Sequence, residues 1–203
     1  MENKVIACLG GGDVERDNIY YKAMTAVGGL LAEKKYIVVT GGFGGIMEAA
    51  AKGAIEAGGK TIGYTMLDKG SNPYISTTVN CESLIHPMMF LDDENIEPAV
   101  KYTVQYGMRL GCLLSADGFI ISAGGGPGTM AELMAIINLG SKVWKMAKRI
   151  AILNVDEAYF SYEWNARMLK ELEKWGVFPR KVQKHFRIAA TPKEAVDWVA
   201  WAD

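Results

Sequence analysis

Gly118-Phe119-Ile120-Ile121-Ser122-Ala123-Gly124-Gly125-Gly126-Pro127-Gly128-Thr129-Met130-Ala131-Glu132 is the stretch that decides the fold. Gly118–Ser122 is short, apolar and partly β-branched, which reads as a buried strand. It runs straight into glycines, and Thr129 to Leu139 then reads as a helix. The same grammar occurs twice upstream. Val5–Leu9 stops at Gly10-Gly11-Gly12 before a helix over Asn18–Lys34, and Tyr36–Thr40 stops at Gly41-Gly42-Phe43-Gly44-Gly45 before a helix over Met47–Ala57.

The rest of the chain keeps the alternation. Lys60–Thr65 reads as a strand, 66–78 as a loop, Glu82–Ile85 as a short strand, and 88–93 as a second loop. A long helix is expected from about Asn95 to Leu114. Arg149–Asn154 reads as a strand, Tyr159–Trp175 as a helix, His185–Ala189 as a last strand, and Pro192 as the start of a final helix capped by Thr191. Strands alternating with helices imply an α/β fold: a doubly wound parallel sheet, Rossmann-like, with helices on both faces. No linker or repeat divides residues 1–203, so one domain is expected. In such sheets ligands bind beyond the carboxyl ends of the strands. Three glycine runs that each follow a strand should therefore meet on that edge.

Composition narrows the function. The chain has 203 residues, with 22 Lys+Arg against 23 Asp+Glu, so there is no global basic field for nucleic acid or an anionic membrane. Cys8, Cys81 and Cys112 are odd in number and widely spaced, which fits neither a disulfide framework nor a zinc knuckle; Cys8 and Cys112 read as core fillers. Apolar runs fall short of a membrane span, and the expected setting is cytoplasmic.

The 23 glycines are the unusual feature. At Gly125, Gly126, Gly128 and Thr129 a glycine turn opens a helix, whose exposed amides and dipole favour a phosphate; a tight turn with no ligand would use the same residues. Gly41, Gly42, Gly44 and Gly45 can form a second wall of backbone donors, and Gly11 and Gly12 a third. Met47 can cover an apolar base or simply pack in the core. Glu132 lies one helical turn after Thr129, with Arg109 on the preceding long helix as a candidate counter-charge; both also read as solvated helix charges.

Several chemistries lack support. No glycine run is followed by the Gly-Lys-Ser/Thr of a P-loop, and the window where a dinucleotide site needs an acid holds Lys145, Lys148 and Arg149. With Lys142, these read as a solvated face. His86 and His185 stand apart from the glycine runs, and no metal-ligand spacing is present, so neither metal nor cofactor is expected. Leu91-Asp92-Asp93-Glu94-Asn95 could attract a cation, but such a run is more often a solvated helix start, here with Asp93 as its cap.

Gly124–Glu132 resembles the PGGxGTxxE motif of the proteins long labelled possible lysine decarboxylase, now called LOG-type, and Thr40–Glu48 is similar to the family's earlier glycine motif. Arg109, 23 residues before Glu132, falls where the family has its catalytic arginine. The resemblance covers roughly residues 4–155. It implies a nucleoside 5′-monophosphate phosphoribohydrolase that cleaves a nucleotide such as AMP to free base and ribose 5-phosphate. Phosphate would rest on Gly125, Gly126, Gly128 and Thr129, Glu132 would stabilise charge at the anomeric carbon or activate water, and Arg109 would orient Glu132. A homodimer is implied too, with Val100, Val104, Met108 and Leu113 as an apolar stripe serving either core or interface. Lysine decarboxylation is not implied.

The chain departs from the family pattern at three places: Gly124 replaces the motif's leading proline, Leu110 follows Arg109 where lysine is usual, and Gly10-Gly11-Gly12 replaces Gly-Ser-Ser. The triple glycine Gly124-Gly125-Gly126 before Pro127-Gly128-Thr129 resembles a side branch that includes molybdenum-cofactor carriers, so a non-catalytic nucleotide sensor or carrier of a phosphorylated cofactor is the alternative. A nucleic-acid protein akin to the DNA-processing Rossmann proteins is the third, disfavoured by charge.

Overall fold

The computed structural model describes residues 4–66, 71–81, 97–122, 124–142, 148–155, 164–176 and 178–200. Within them lie strands β1 (Val5–Leu9), β2 (Ile37–Thr40), β3 (Lys60–Thr65), β4 (Thr77–Asn80), β5 (Gly118–Ser122), β6 (Arg149–Leu153) and β7 (Phe186–Ala189). The helices are α1 (Ile19–Glu33), α2 (Ile46–Glu56), α3 (Pro98–Leu114), α4 (Pro127–Lys142), α5 (Trp164–Lys174), α6 (Arg180–Gln183) and α7 (Pro192–Val199).

All seven strands join one parallel sheet in the order β4-β3-β2-β1-β5-β6-β7. The register sets Ala7 against Val39 on one side and against Phe119 on the other. β1, β5 and β6 are buried almost throughout, as strands covered on both faces must be, whereas the edge strand β4 is largely exposed. From β1 the chain winds outward to β4, then returns to β5 and winds the other way. Right-handed crossovers therefore place α1 and α2 on one face and α3 and α4 on the other. The reversal between β1 and β5 opens a crevice at their carboxyl ends.

Local chemistry sets the helix starts. Asn18 caps α1, its side chain accepting from the Tyr20 amide at 2.8 Å. Pro98 fixes the start of α3 three residues later than the expected Asn95, because proline suits the first helical position and no interior one. Pro127 likewise opens α4 two residues before Thr129. Thr191 caps α7 by accepting from the Glu194 amide at 3.1 Å.

Two expectations need correction, and one short helix adds to them. The strand after β3 is Thr77–Asn80, partly inside the stretch read as a loop; its two threonines and valine carry β propensity that the surrounding polar residues mask. Glu82–Ile85, the 88–93 loop, His86 and Leu91–Asn95 lie outside the described residues, as does Lys145. The short α6 was not expected at all. On α3 the sheet-facing side carries Gln105, Arg109 and Leu113, while Val100 is 48% exposed and Val104 and Met108 are half-buried, so Val100–Leu113 is not one apolar stripe. The helix passes the crevice there, and polar groups face inward where the crevice is.

Cys8 is buried as expected, but Cys112 is only half-buried, while Cys81 is fully buried. Lys148 is half-buried, with Nζ donating to the Leu114 carbonyl at 3.0 Å, and Arg149 is half-buried, 4.5 Å over the Trp198 ring; of the three described residues of that face, Lys142 alone is exposed. Among the described residues no helix is long and apolar enough to cross a membrane.

Candidate functional site

The turn after β1, the turn after β2 and the turn between β5 and α4 converge at the crevice. A cleft of about 660 Å³ is lined by Gly10–Val14, Phe43, Gly44, Met47, Arg109, Gly125, Gly126, Gly128, Thr129 and Glu132. The turns touch one another: a Cβ placed on Gly11 would lie 3.5 Å from the Gly125 Cα, and one on Gly44 would lie 3.2 Å from the Gly12 carbonyl oxygen.

The glycines of the second run divide. Gly44 reaches the cleft, while Gly41, Gly42 and Gly45 are buried behind it. Gly45 has φ +62°, and a Cβ there would meet the Gly11 carbonyl oxygen at 2.3 Å; the adjacent Ile46 amide donates to that same oxygen at 3.0 Å. A Cβ on Gly41 would strike the Arg109 guanidinium. Asn72 fastens this turn, its amide nitrogen donating to the Phe43 carbonyl at 2.9 Å and its backbone amide to the Gly42 carbonyl at 2.8 Å. These three glycines let the wall form and leave the cleft surface to others.

The third run faces outward. Gly126 and Gly128 have nothing within 4 Å of where a Cβ would stand, so backbone is presented to open space. Gly126 accepts from the Met130 amide at 3.2 Å, which puts Pro127 first in α4. The amides of Gly128 and Thr129 therefore have no carbonyl to meet within the helix, and the positive end of its dipole points at the cleft. Gly125 takes φ +141° and packs its backbone against Thr129, which is itself buried.

Arg109 and Glu132 lie at the cleft floor, 7% and 6% exposed, so neither is a solvated helix charge. Arg109 Nε donates to the Tyr64 carbonyl at 3.0 Å, its Nη2 lies 3.7 Å from Met47 Sδ, and its guanidinium sits 5.1 Å over the Phe43 ring. Its Nη1 stands 3.9 Å from Glu132 Oε1, an ion pair at long range. Burial pushes the Glu132 carboxyl up to about 7, against the opposing pull of Arg109. A carboxyl poised near neutrality beside a fixed cation can hold or release a proton at a reacting centre. Met47 is buried and lines the cleft, its Sδ 3.7 Å from Arg109 Nη2 and its Cε 3.6 Å from the Cβ position of Gly12.

Gly10, Asp13, Val14 and Phe43 line the cleft without having been singled out as ligand residues. Phe43 interrupts the second glycine run, and Asp13-Val14 directly continue the first, so position in the motif was the available signal. Among the described residues no three His, Cys, Asp or Glu side chains gather into a metal site.

Comparison with known proteins agrees with this architecture. A model described as SLOG cluster4 family matches residues 3–85, and one described as possible lysine decarboxylase matches residues 47–199. An uncharacterized protein of Archaeoglobus fulgidus is 26% identical over 152 residues, 75% of this chain and 85% of its own length. Among solved structures, TM1055 superposes with TM-score 0.68 at 23% identity, covering 98% of this chain and 99% of its own. The Moco carrier protein of Chlamydomonas reinhardtii does so with TM-score 0.62 at 20% identity, covering 98% and 96%. Identities this low speak for the fold alone, but the second family match spans more than half of the sequence: the chain belongs to the LOG-like family described as possible lysine decarboxylase.

Proposed function

We propose that the cleft binds a nucleoside 5′-monophosphate such as AMP and hydrolyses its N-glycosidic bond. The observation that carries this reading is the buried Glu132–Arg109 pair, set in the same cleft as the open amides at the head of α4. The phosphate rests on Gly126, Gly128 and Thr129, which extends the ribose toward Glu132. As the bond from the anomeric carbon to the base breaks, positive charge grows on the sugar, and ionised Glu132 stabilises it and takes a proton from the attacking water. The bonding pair leaves with the base, which gains a proton, and the other product is ribose 5-phosphate. Arg109, fixed by the Tyr64 carbonyl, keeps Glu132 oriented and favours its ionised form.

Incubating the protein with AMP tests this. Free adenine should appear, and Glu132→Gln should reduce its release by at least a hundredfold. Because the ionised carboxylate is the active form, the wild-type rate should rise as pH passes through about 7. Equal release by both proteins would sink the hydrolase reading.

A carrier of a phosphorylated cofactor is the second reading, favoured by the superposition on the Moco carrier protein and by Leu110 beside Arg109. Tight binding of AMP or a pterin phosphate without turnover supports it. We also propose a homodimer, in which Val100 and Tyr102 on α3 and Met130 and Met134 on α4, all 40–57% exposed, are covered by the second copy. Light scattering that reports only single-chain mass refutes this assembly.

A further inference from the structure

Seating a phosphate at α4 leaves charge uncompensated. Among the described lining residues the formal charges are Asp13, Arg109 and Glu132. Arg109 is engaged with the Tyr64 carbonyl and Glu132, and Asp13 is exposed on the rim. A phosphate dianion would meet backbone amides and a helix end equivalent to about half a charge, with two carboxyls nearby.

A cation stands on the same turn. Arg16 lies two residues beyond the cleft-lining Val14 and is 69% exposed. Its Nε donates to Glu48 Oε1 at 3.0 Å, and its Nη2 stands 2.8 Å from that oxygen. Glu48 follows the cleft-lining Met47, and its Oε2 lies 4.0 Å from the Cβ position of Gly44, another lining residue. The guanidinium is thus held beside the rim. Tyr21 donates its hydroxyl to the same Glu48 Oε1 at 2.9 Å. Glu48 therefore keeps a partner if Arg16 departs.

We propose that Arg16 is a further ligand-binding residue, an arm held on Glu48 that transfers to the ligand's phosphate from the open side of the cleft. This rests on the reading that a phosphomonoester binds at α4. The Arg16 end of the pair is 69% exposed and the Glu48 end 13% exposed, and both guanidinium nitrogens meet the single oxygen Glu48 Oε1, whereas a phosphate offers the guanidinium fork a bidentate partner. The arm supplies a second cation beside Arg109, whose guanidinium is already engaged with the Tyr64 carbonyl and Glu132, and it discriminates ligands with a phosphate from those without one.

The test is calorimetric titration of the whole protein with AMP and, separately, with adenosine. Arg16→Gln should weaken AMP binding roughly tenfold and leave adenosine binding unchanged. Arg16→Lys should recover part of the loss, because it keeps charge and gives up the fork. Glu48→Gln should tighten AMP binding, since the holding site loses its charge. Wild-type affinity for AMP in Arg16→Gln overturns the arm while leaving the phosphate-binding reading intact, and so does an equal loss for AMP and adenosine. No binding of AMP by the wild type defeats both. Thermal unfolding of Arg16→Gln at the wild-type midpoint shows that any loss is not misfolding.

Discussion

At Gly45 and at Gly128 the chain carries the same residue in the same setting, a turn from a strand into a helix, yet the surroundings are opposites. Gly45 is buried in the left-handed region, with another turn's carbonyl oxygen 2.3 Å from where its Cβ would be. Gly128 is exposed within the first turn of α4 with nothing within 4 Å of that point. The first glycine makes room for protein and the second keeps room for something else. Glycine-rich motifs therefore mix two functions that composition does not separate: joining walls and exposing amides.

Substitutions that add one methyl group sharpen that contrast, and the largest effect belongs to the joining glycine. Gly45→Ala should cost about 4 kcal/mol of stability or more, since it combines a disfavoured φ with a clash against backbone that cannot move aside. Urea unfolding measures it, and a midpoint equal to wild type would erase the distinction between the two glycines.

Next comes the cleft floor. Glu132 has its folded-state pKa raised from 4.5 to about 7 by burial, so the native state binds the proton more tightly than the unfolded chain. The contribution is fully present below about 4.5 and is lost as pH rises to about 7, an effect on the order of 3 kcal/mol. Glu132→Gln should lack this fall. Denaturant titrations across that pH range compare the two, and parallel curves would mean that Glu132 is not desolvated as described.

The amide-exposing glycine should behave in reverse to Gly45. Gly128→Ala should change stability by no more than about 1 kcal/mol, because alanine suits a helix better than glycine and meets no neighbour. It should nonetheless weaken AMP binding roughly tenfold, since a methyl group would stand where phosphate approaches the backbone. Calorimetry reads the affinity; a stable variant with unchanged affinity would place the phosphate elsewhere. The smallest effect falls on the fastening of the second turn. Asn72→Ala removes the side-chain donation to the Phe43 carbonyl and should cost about 1 kcal/mol by thermal unfolding.

Much of the architecture was legible because it rests on local patterns. Val5–Leu9 and Gly118–Ser122 are apolar throughout, which is what burial on both sheet faces demands, and the glycine runs mark where those strands end. Edge elements were harder. Thr77–Asn80 is largely exposed, and the β propensity of its threonines and valine becomes a strand through pairing with β3. On α3, Val100 was read as part of an apolar stripe although Gln105 and Arg109 take the inner positions, because a crevice at the sheet edge reverses the usual rule of what a helix buries.

By itself, the sequence determined the alternation of strand and helix, the three turns at the sheet's carboxyl edge, and Arg109 and Glu132 as residues to consider together. Short-range preference governs the elements and the turns, because β-branched runs extend, glycine breaks them, and proline and threonine open helices; the pairing of Arg109 with Glu132 came from the resemblance to a known family. Only the tertiary structure decided which glycines face the cleft, that Arg109 and Glu132 are buried 3.9 Å apart, and that Arg16 lies against Glu48. Those facts come from turns far apart in the chain packing backbone against backbone. Burial and proximity are properties of that packing, and no stretch of sequence carries them alone.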